Sequence, residues 1–153
     1  MIVPDVNLLV YAANHDATHH ERARVWLEQT LSGTEPVGLP WLVTVAFVRL
    51  TTHARVFSSP LTTNQALGFV NSWLAQPCTE PLNPGDRHWL ILADLLRESG
   101  SAGNLSNDAH LAALAIEHNA CLHSADTDFL RFAGLKHHNP LSQSSLQETR
   151  AVY

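Results

Sequence analysis

Residues 1–9 read MIVPDVNLL, a short apolar run closed by a proline and a carboxylate, Asp5, with apolar residues resuming behind it. An unbroken apolar run of this length suits a strand buried on both faces, as strands of parallel sheets are. The following NLLVYAAN (7–14) is compatible with a helix. A strand over 2–5 therefore feeds a helix and carries Asp5 at its carboxyl end, the side on which open parallel sheets gather functional groups.

The same alternation continues along the chain. THHERARVWLEQTLSG (18–33) predicts a helix, with Thr18 as cap, Glu21 three residues on as in a capping box, and Gly33 as its stop. VGLP (37–40) predicts a strand, and WLVTVAFVRLTTHARVF (41–57), β-branched but long, a helix. SPLTTNQALGFVNSWLAQP (59–77) predicts another helix from Thr62 or Thr63, whereas TEPLNPGD (79–86) is dense in turn residues and predicts a loop. Further helices are expected from Asp86 to Gly100 and from Ser106 or Asn107 onward, and strands at ACLHS (120–124) and Lys136–His138. ADTDFLRF (125–132) reads as a carboxylate-rich turn and a short helix, and the tail from Ser142 as polar and loosely held. Strands alternating with helices indicate an α/β fold with a mainly parallel central sheet flanked by helices.

Composition bounds this reading. A chain of 153 residues, 45% hydrophobic and 15% charged, is expected to form one globular domain over 1–153. No apolar run approaches the ~20 residues of a membrane span, so Leu90–Leu96 reads as core helix and no membrane association is expected. The N-terminal residues lack the pattern of a secretory signal. Cys78 and Cys121 are too far apart for a zinc motif and too few for a disulfide scaffold; buried free thiols in a reducing cytoplasm are expected. The net charge of −5 argues against a basic nucleic-acid surface, yet eight of the nine basic residues are arginines, whose planar fork suits phosphate. The four tryptophans, 26, 41, 73 and 89, read as core residues.

If the first strand and ACLHS are neighbours, three or four of the carboxylates Asp5, Asp108, Asp126 and Asp128 face one crevice. Carboxylates held so close repel one another and need a counter-charge, and an all-oxygen ligand set selects a hard divalent ion, Mg²⁺ or Mn²⁺. Each Asp also has a plain explanation: Asp108 suits a helix N-terminus, and Asp126 and Asp5 suit capping positions. Only their convergence points to chemistry. The histidine pairs His19–His20 and His137–His138 are adjacent and lack metal-site spacing, and His15 and Asp16 are placed to line a groove.

PDVNLLVYA (4–12), SNDAHLAALAIEH (106–118) and SADTDFLRFAGLKHHNPL (124–141) resemble the PIN-domain toxins of VapBC toxin–antitoxin systems, and PWLVTVAFVRLTTHARVF (40–57) is similar to the segment between their first two motifs. The resemblance implies a PIN-like fold and a Mg²⁺-dependent endoribonuclease acting on tRNA or ribosomal RNA. It also implies a VapB-type antitoxin partner, whose C-terminal segment occupies the active-site groove. It assigns Asp5 and Asp108 as metal ligands, Asp126 and Asp128 as the final acidic cluster, Asn7 as a supporting polar residue, and Ser124 as a residue that hydrogen-bonds Asp5. Many members carry a Glu in the second motif, where this chain reads Val45-Ala46-Phe47-Val48-Arg49. That departure leaves Arg49 as a candidate RNA-phosphate contact or as a partner of an active-site Asp, and it puts a second metal ion in question. His110 is a second candidate RNA contact. A haloacid-dehalogenase-type phosphatase would need an Asp at position 7, where Asn7 stands. The competing reading is a catalytically impaired PIN-fold module that binds RNA or protein. The apolar segment from Trp41 to Phe57 is expected to mediate homodimerisation.

Overall fold

The structure, a computed structural model, describes residues 1–100 and 102–142, with Asn104 described by its backbone alone. Beyond Ser142, the expected polar tail lies outside the described residues. Five strands, β1 (Ile2–Pro4), β2 (Val37–Pro40), β3 (Thr79–Leu82), β4 (Cys121–His123) and β5 (Lys136–His138), form one sheet in the order β3-β2-β1-β4-β5. Every pairing is parallel. The first strand is thus the central one. Val3 and Leu122, opposite each other on β1 and β4, are fully buried, as strands covered on both faces must be.

Six α-helices accompany the sheet among the described residues: α1 (Val6–Ala13), α2 (His20–Ser32), α3 (Trp41–Thr51), α4 (Thr63–Leu74), α5 (His88–Ser99) and α6 (Ser106–Glu117). A 3-10 turn spans Thr127–Arg131. Helix α1 packs on α2 and α3, and α5 packs on α6. The neighbouring Leu8 and Leu9 of α1 serve two clusters: Leu9 joins the main core with Phe47, Leu114, Leu122 and Phe129, while Leu8 meets Ala23 and Leu141. Phe47 sits edge-on to Trp73, ring centroids 4.6 Å apart, tying α3 to α4. None of the described helices is long and apolar enough to cross a membrane.

Four expectations need correction. The loop expected over 79–86 contains β3, whose Glu80 and Pro81 face solvent at the sheet edge, where a proline costs no ladder bond. Thr18 does not cap α2; His19 takes that position without a side-chain bond, and the capping box lies instead at Thr62 and Gln65 of α4. Trp41 and Trp89 are not core residues: Trp41, the first residue of α3, is 51% exposed, and Trp89 and Leu90 of α5 are exposed, Trp89 to 69%, because that helix fully buries only its His88 and Leu95 positions. Cys78 and Cys121 are free but only half-buried. Gly100 follows α5 in the left-handed region, φ 71°, and ends the helix as expected.

Candidate functional site

The register of the central strands assembles the site. Pro4 pairs with His123, so Asp5 and Ser124 leave the sheet side by side, and the Asp5 amide donates to the His123 carbonyl at 2.9 Å. Asp5 is the N-cap of α1, with Oδ1 accepting from the Val6 amide at 2.7 Å. Its other oxygen, Oδ2, accepts from Ser124 Oγ at 2.7 Å. The carboxylate is therefore both a helix cap and one wall of the pocket.

Ser124 is fully buried and acts as a hub. Its one hydroxyl proton goes to Asp5, so Oγ can only accept from its other neighbours: the Asp126 amide at 3.0 Å and Asn7 Nδ2 at 3.4 Å. That fixes the Asn7 amide with its nitrogen toward Ser124, and leaves Asn7 Oδ1 buried with no partner. Asp126 in turn caps the 3-10 turn, Oδ1 accepting from the Asp128 amide at 2.8 Å. A continuous chain of hydrogen bonds thus runs Asp5–Ser124–Asp126–Asp128. His137 of β5 reaches the Ser124 carbonyl through Nε2 at 3.0 Å and braces the turn from the sheet edge.

Asp108 enters from the first turn of α6. One ligand atom from each of Asp108, Asp126 and Asp128 lies within 4.8 Å of the other two. Burial pushes Asp108 up to about 6, assisted by repulsion from Asp5, Asp126 and Asp128 and opposed by Arg131. Burial also raises Asp5, against the pull of its Ser124 and Val6 hydrogen bonds. Asp5 is not in the tight trio, but its charge is close enough to act on Asp108.

These residues fit a hard divalent cation. The donors are all oxygen, mutual repulsion asks for a positive charge between them, and the orphaned Asn7 Oδ1 is an acceptor suited to a metal-bound water. No acidic side chain reaches the trio from α3, where the Val45 side of the helix is exposed to solvent.

Two sequence candidates lie elsewhere. His110 is two residues from Asp108, about 200° around the helix, and its Nδ1 faces His88 Nε2 of α5 at 2.9 Å, the rings packed edge to face. Arg49 is exposed in the last turn of α3 and makes no ion pair among the described residues. His15 lines an apolar groove of about 620 Å³ between α2 and α4, with Leu27, Leu31, Phe69 and Trp73. Asp16 accepts from Ser58 Oγ at 3.2 Å. Sequence reasoning missed Arg131, which pairs with Asp128 at 3.3 Å, though the i,i+3 spacing was a usable signal. It also missed His137, which no spacing rule connects to residue 124.

The PIN domain family model matches residues 2–135. Ribonuclease VapC33 of Mycobacterium tuberculosis (strain ATCC 25618 / H37Rv) is 43% identical over 143 residues, 94% of this chain and 100% of the relative. The chain belongs to the VapC family of PIN-domain proteins. Ribonuclease VapC37 of the same organism is a similar VapC relative, 45% identical over 92% of this chain and 97% of its own length. Among solved structures, VapBC2 from Rickettsia felis bound to a promoter DNA fragment aligns with a TM-score of 0.67 at 22% identity, covering 91% of this VapC-family chain and 98% of that one. Mycobacterium tuberculosis VapC20, a sarcin–ricin-loop-cleaving toxin, aligns at 0.60 and 18% identity, covering 89% and 99%. At such identities the likeness concerns the fold.

Proposed function

We propose that this chain is a Mg²⁺-dependent endoribonuclease, the toxin of a VapBC-type pair, which cleaves a tRNA or ribosomal RNA and is neutralised by a VapB-type antitoxin. The observation that carries the reading is the trio Asp108, Asp126 and Asp128, with ligand atoms within 4.8 Å of one another, in a chain whose relatives are named ribonucleases. Asp108, Asp126 and Asp128 would hold the ion, with Asp5 beside them. When bound, Mg²⁺ lowers the pKa of its water and offsets charge on the phosphodiester. Ser124 holds Asp5 and the Asp126 backbone in register, and Asn7 Oδ1, which has no partner of its own, would accept a hydrogen bond from a water of the ion. Mn²⁺ suits the same donors.

The test is incubation of the purified protein with total RNA in Mg²⁺ or EDTA, beside Asp5→Ala. Cleavage with Mg²⁺ alone, abolished in the variant, is expected. Intact RNA in every lane, with no Mg²⁺ binding, would remove the reading. A catalytically impaired binding module is the second reading, favoured by the absence of an acidic residue from α3 at the trio. Growth inhibition that survives Asp5→Ala would select it.

A further inference from the structure

Arg131 is, among the described residues, the one cation paired with the acidic pocket. It is anchored at two points on a single residue: Nε donates to the Asp128 carbonyl at 3.0 Å, and Nη2 lies 3.3 Å from Asp128 Oδ1. Both side chains are roughly half-exposed, 43% and 53%, so the guanidinium stands at the rim of the pocket and not in its floor. The backbone bond holds the guanidinium in place even if the Asp128 carboxylate turns toward an ion. The Nη1 end has no partner among the described residues, so the fork keeps donors for something else.

A fixed positive charge beside a cation site is a handicap for the cation, since like charges a few ångströms apart repel. The arrangement makes sense when an anion bridges the two. A phosphodiester is such an anion: one oxygen meets the ion while its neighbours match the planar donors of an arginine. Neither Arg49, which pairs with no carboxylate among the described residues, nor His110, engaged by His88, has this placement.

We propose that Arg131 is a contact residue for the RNA phosphate at the mouth of the acidic pocket, held ready by Asp128. This rests on the ribonuclease reading. Asp128 then has a double duty, as anchor of the guanidinium and as pocket carboxylate, which leaves Asp108 and Asp126 as the stronger ion ligands.

The experiment compares wild type, Arg131→Gln, Arg131→Lys and Asp128→Asn, each checked for folding by circular dichroism. Affinity for a fluorescein-labelled single-stranded RNA is measured by anisotropy across a salt series at a fixed level of Ca²⁺, an oxygen-seeking ion to fill the pocket, with EDTA as the ion-free control, and Mn²⁺ affinity by electron paramagnetic resonance titration. Arg131→Gln is expected to weaken RNA binding roughly tenfold, as loss of one charge-assisted contact does. It should lower the slope of log K against log salt by about 0.7, the value of one phosphate contact on a single strand. Mn²⁺ affinity should stay the same or rise. Arg131→Lys should keep the slope while binding RNA less tightly than wild type. An unchanged slope in Arg131→Gln would overturn the assignment. So would a loss of Mn²⁺ affinity matching that of Asp128→Asn, whatever the slope, because Arg131 would then act only by supporting Asp128. If wild type cuts RNA and Arg131→Gln shows wild-type binding, only the Arg131 assignment fails. A wild type that neither binds nor cuts RNA ends the ribonuclease reading and this inference with it.

Discussion

Asp108 shows how one residue reports the state of the pocket. Its folded-state pKa of about 6 lies above the ordinary carboxylate value of 3.8. In the window between them, the folded protein keeps a proton that the unfolded chain has lost. Its contribution to stability is therefore full below 3.8 and is lost as pH rises through about 6. Asp108→Asn removes that loss, so the metal-free variant should melt above wild type at pH near 7, with the gap closing toward pH near 4. The comparison must be between the two proteins, because the half-buried His123, held down to about 4, pushes stability the opposite way over an overlapping range. Adding Mg²⁺ should raise the melting temperature of wild type at neutral pH and leave Asp108→Asn nearly unmoved; thermal denaturation with and without EDTA reads both. Ser124→Ala strips Asp5 of a donor and both Asn7 and the Asp126 amide of an acceptor. A cost of about 1–3 kcal/mol in urea unfolding is expected for groups left unpaired, together with a loss of Mg²⁺-dependent cleavage.

At the scale of elements, the helices rest on caps and aromatic contacts that can be removed singly. Thr62→Ala dismantles the capping box of α4 and should cost about 1 kcal/mol by urea unfolding. Phe47→Ala, at the fully buried junction of α3 and α4, should cost about 3–5 kcal/mol. The apolar runs at 2–4 and 37–40 and the helical periodicities were legible because burial writes itself into local pattern. Strand β3 was not, since Pro81, Asn83, Pro84 and Gly85 carry turn chemistry and an edge strand needs little hydrophobicity. The segment after β3 is held instead by a distant residue: Glu117 of α6 accepts from the Gly85 and Arg87 amides, which no reading of residues 79–86 by themselves contains. The cap assigned to Thr18 failed because capping depends on where the backbone first turns helical, a residue or two of difference that propensity does not resolve.

For the molecule as a whole, the order β3-β2-β1-β4-β5 supplies the condition on which the sequence grouped its aspartates, that the first strand and ACLHS be neighbours in a parallel sheet. Their separation in chain is large, but only the neighbour relation of β1 and β4 was needed. His137 required side-chain placement and so stayed hidden, whereas the pairing of Arg131 with Asp128 was written in their i,i+3 spacing. Trp41 and Val45, a turn apart on α3 and 51% and 63% exposed, give the expected homodimer its most direct candidate surface. Val45→Glu should convert a dimer to a monomer in sedimentation velocity without unfolding the chain; a wild type that sediments as a monomer would remove the dimer.

The central place of β1 also sets a clock on biosynthesis. On one side β1 waits for β4, a neighbour made more than a hundred residues later, and the turn bearing Asp126 and Asp128 comes later still. A nascent chain therefore carries half a pocket until β4 and the turn behind it emerge. On the ribonuclease reading, the ribosome building this protein is spared a competent nuclease at its own exit until translation of the sheet is complete.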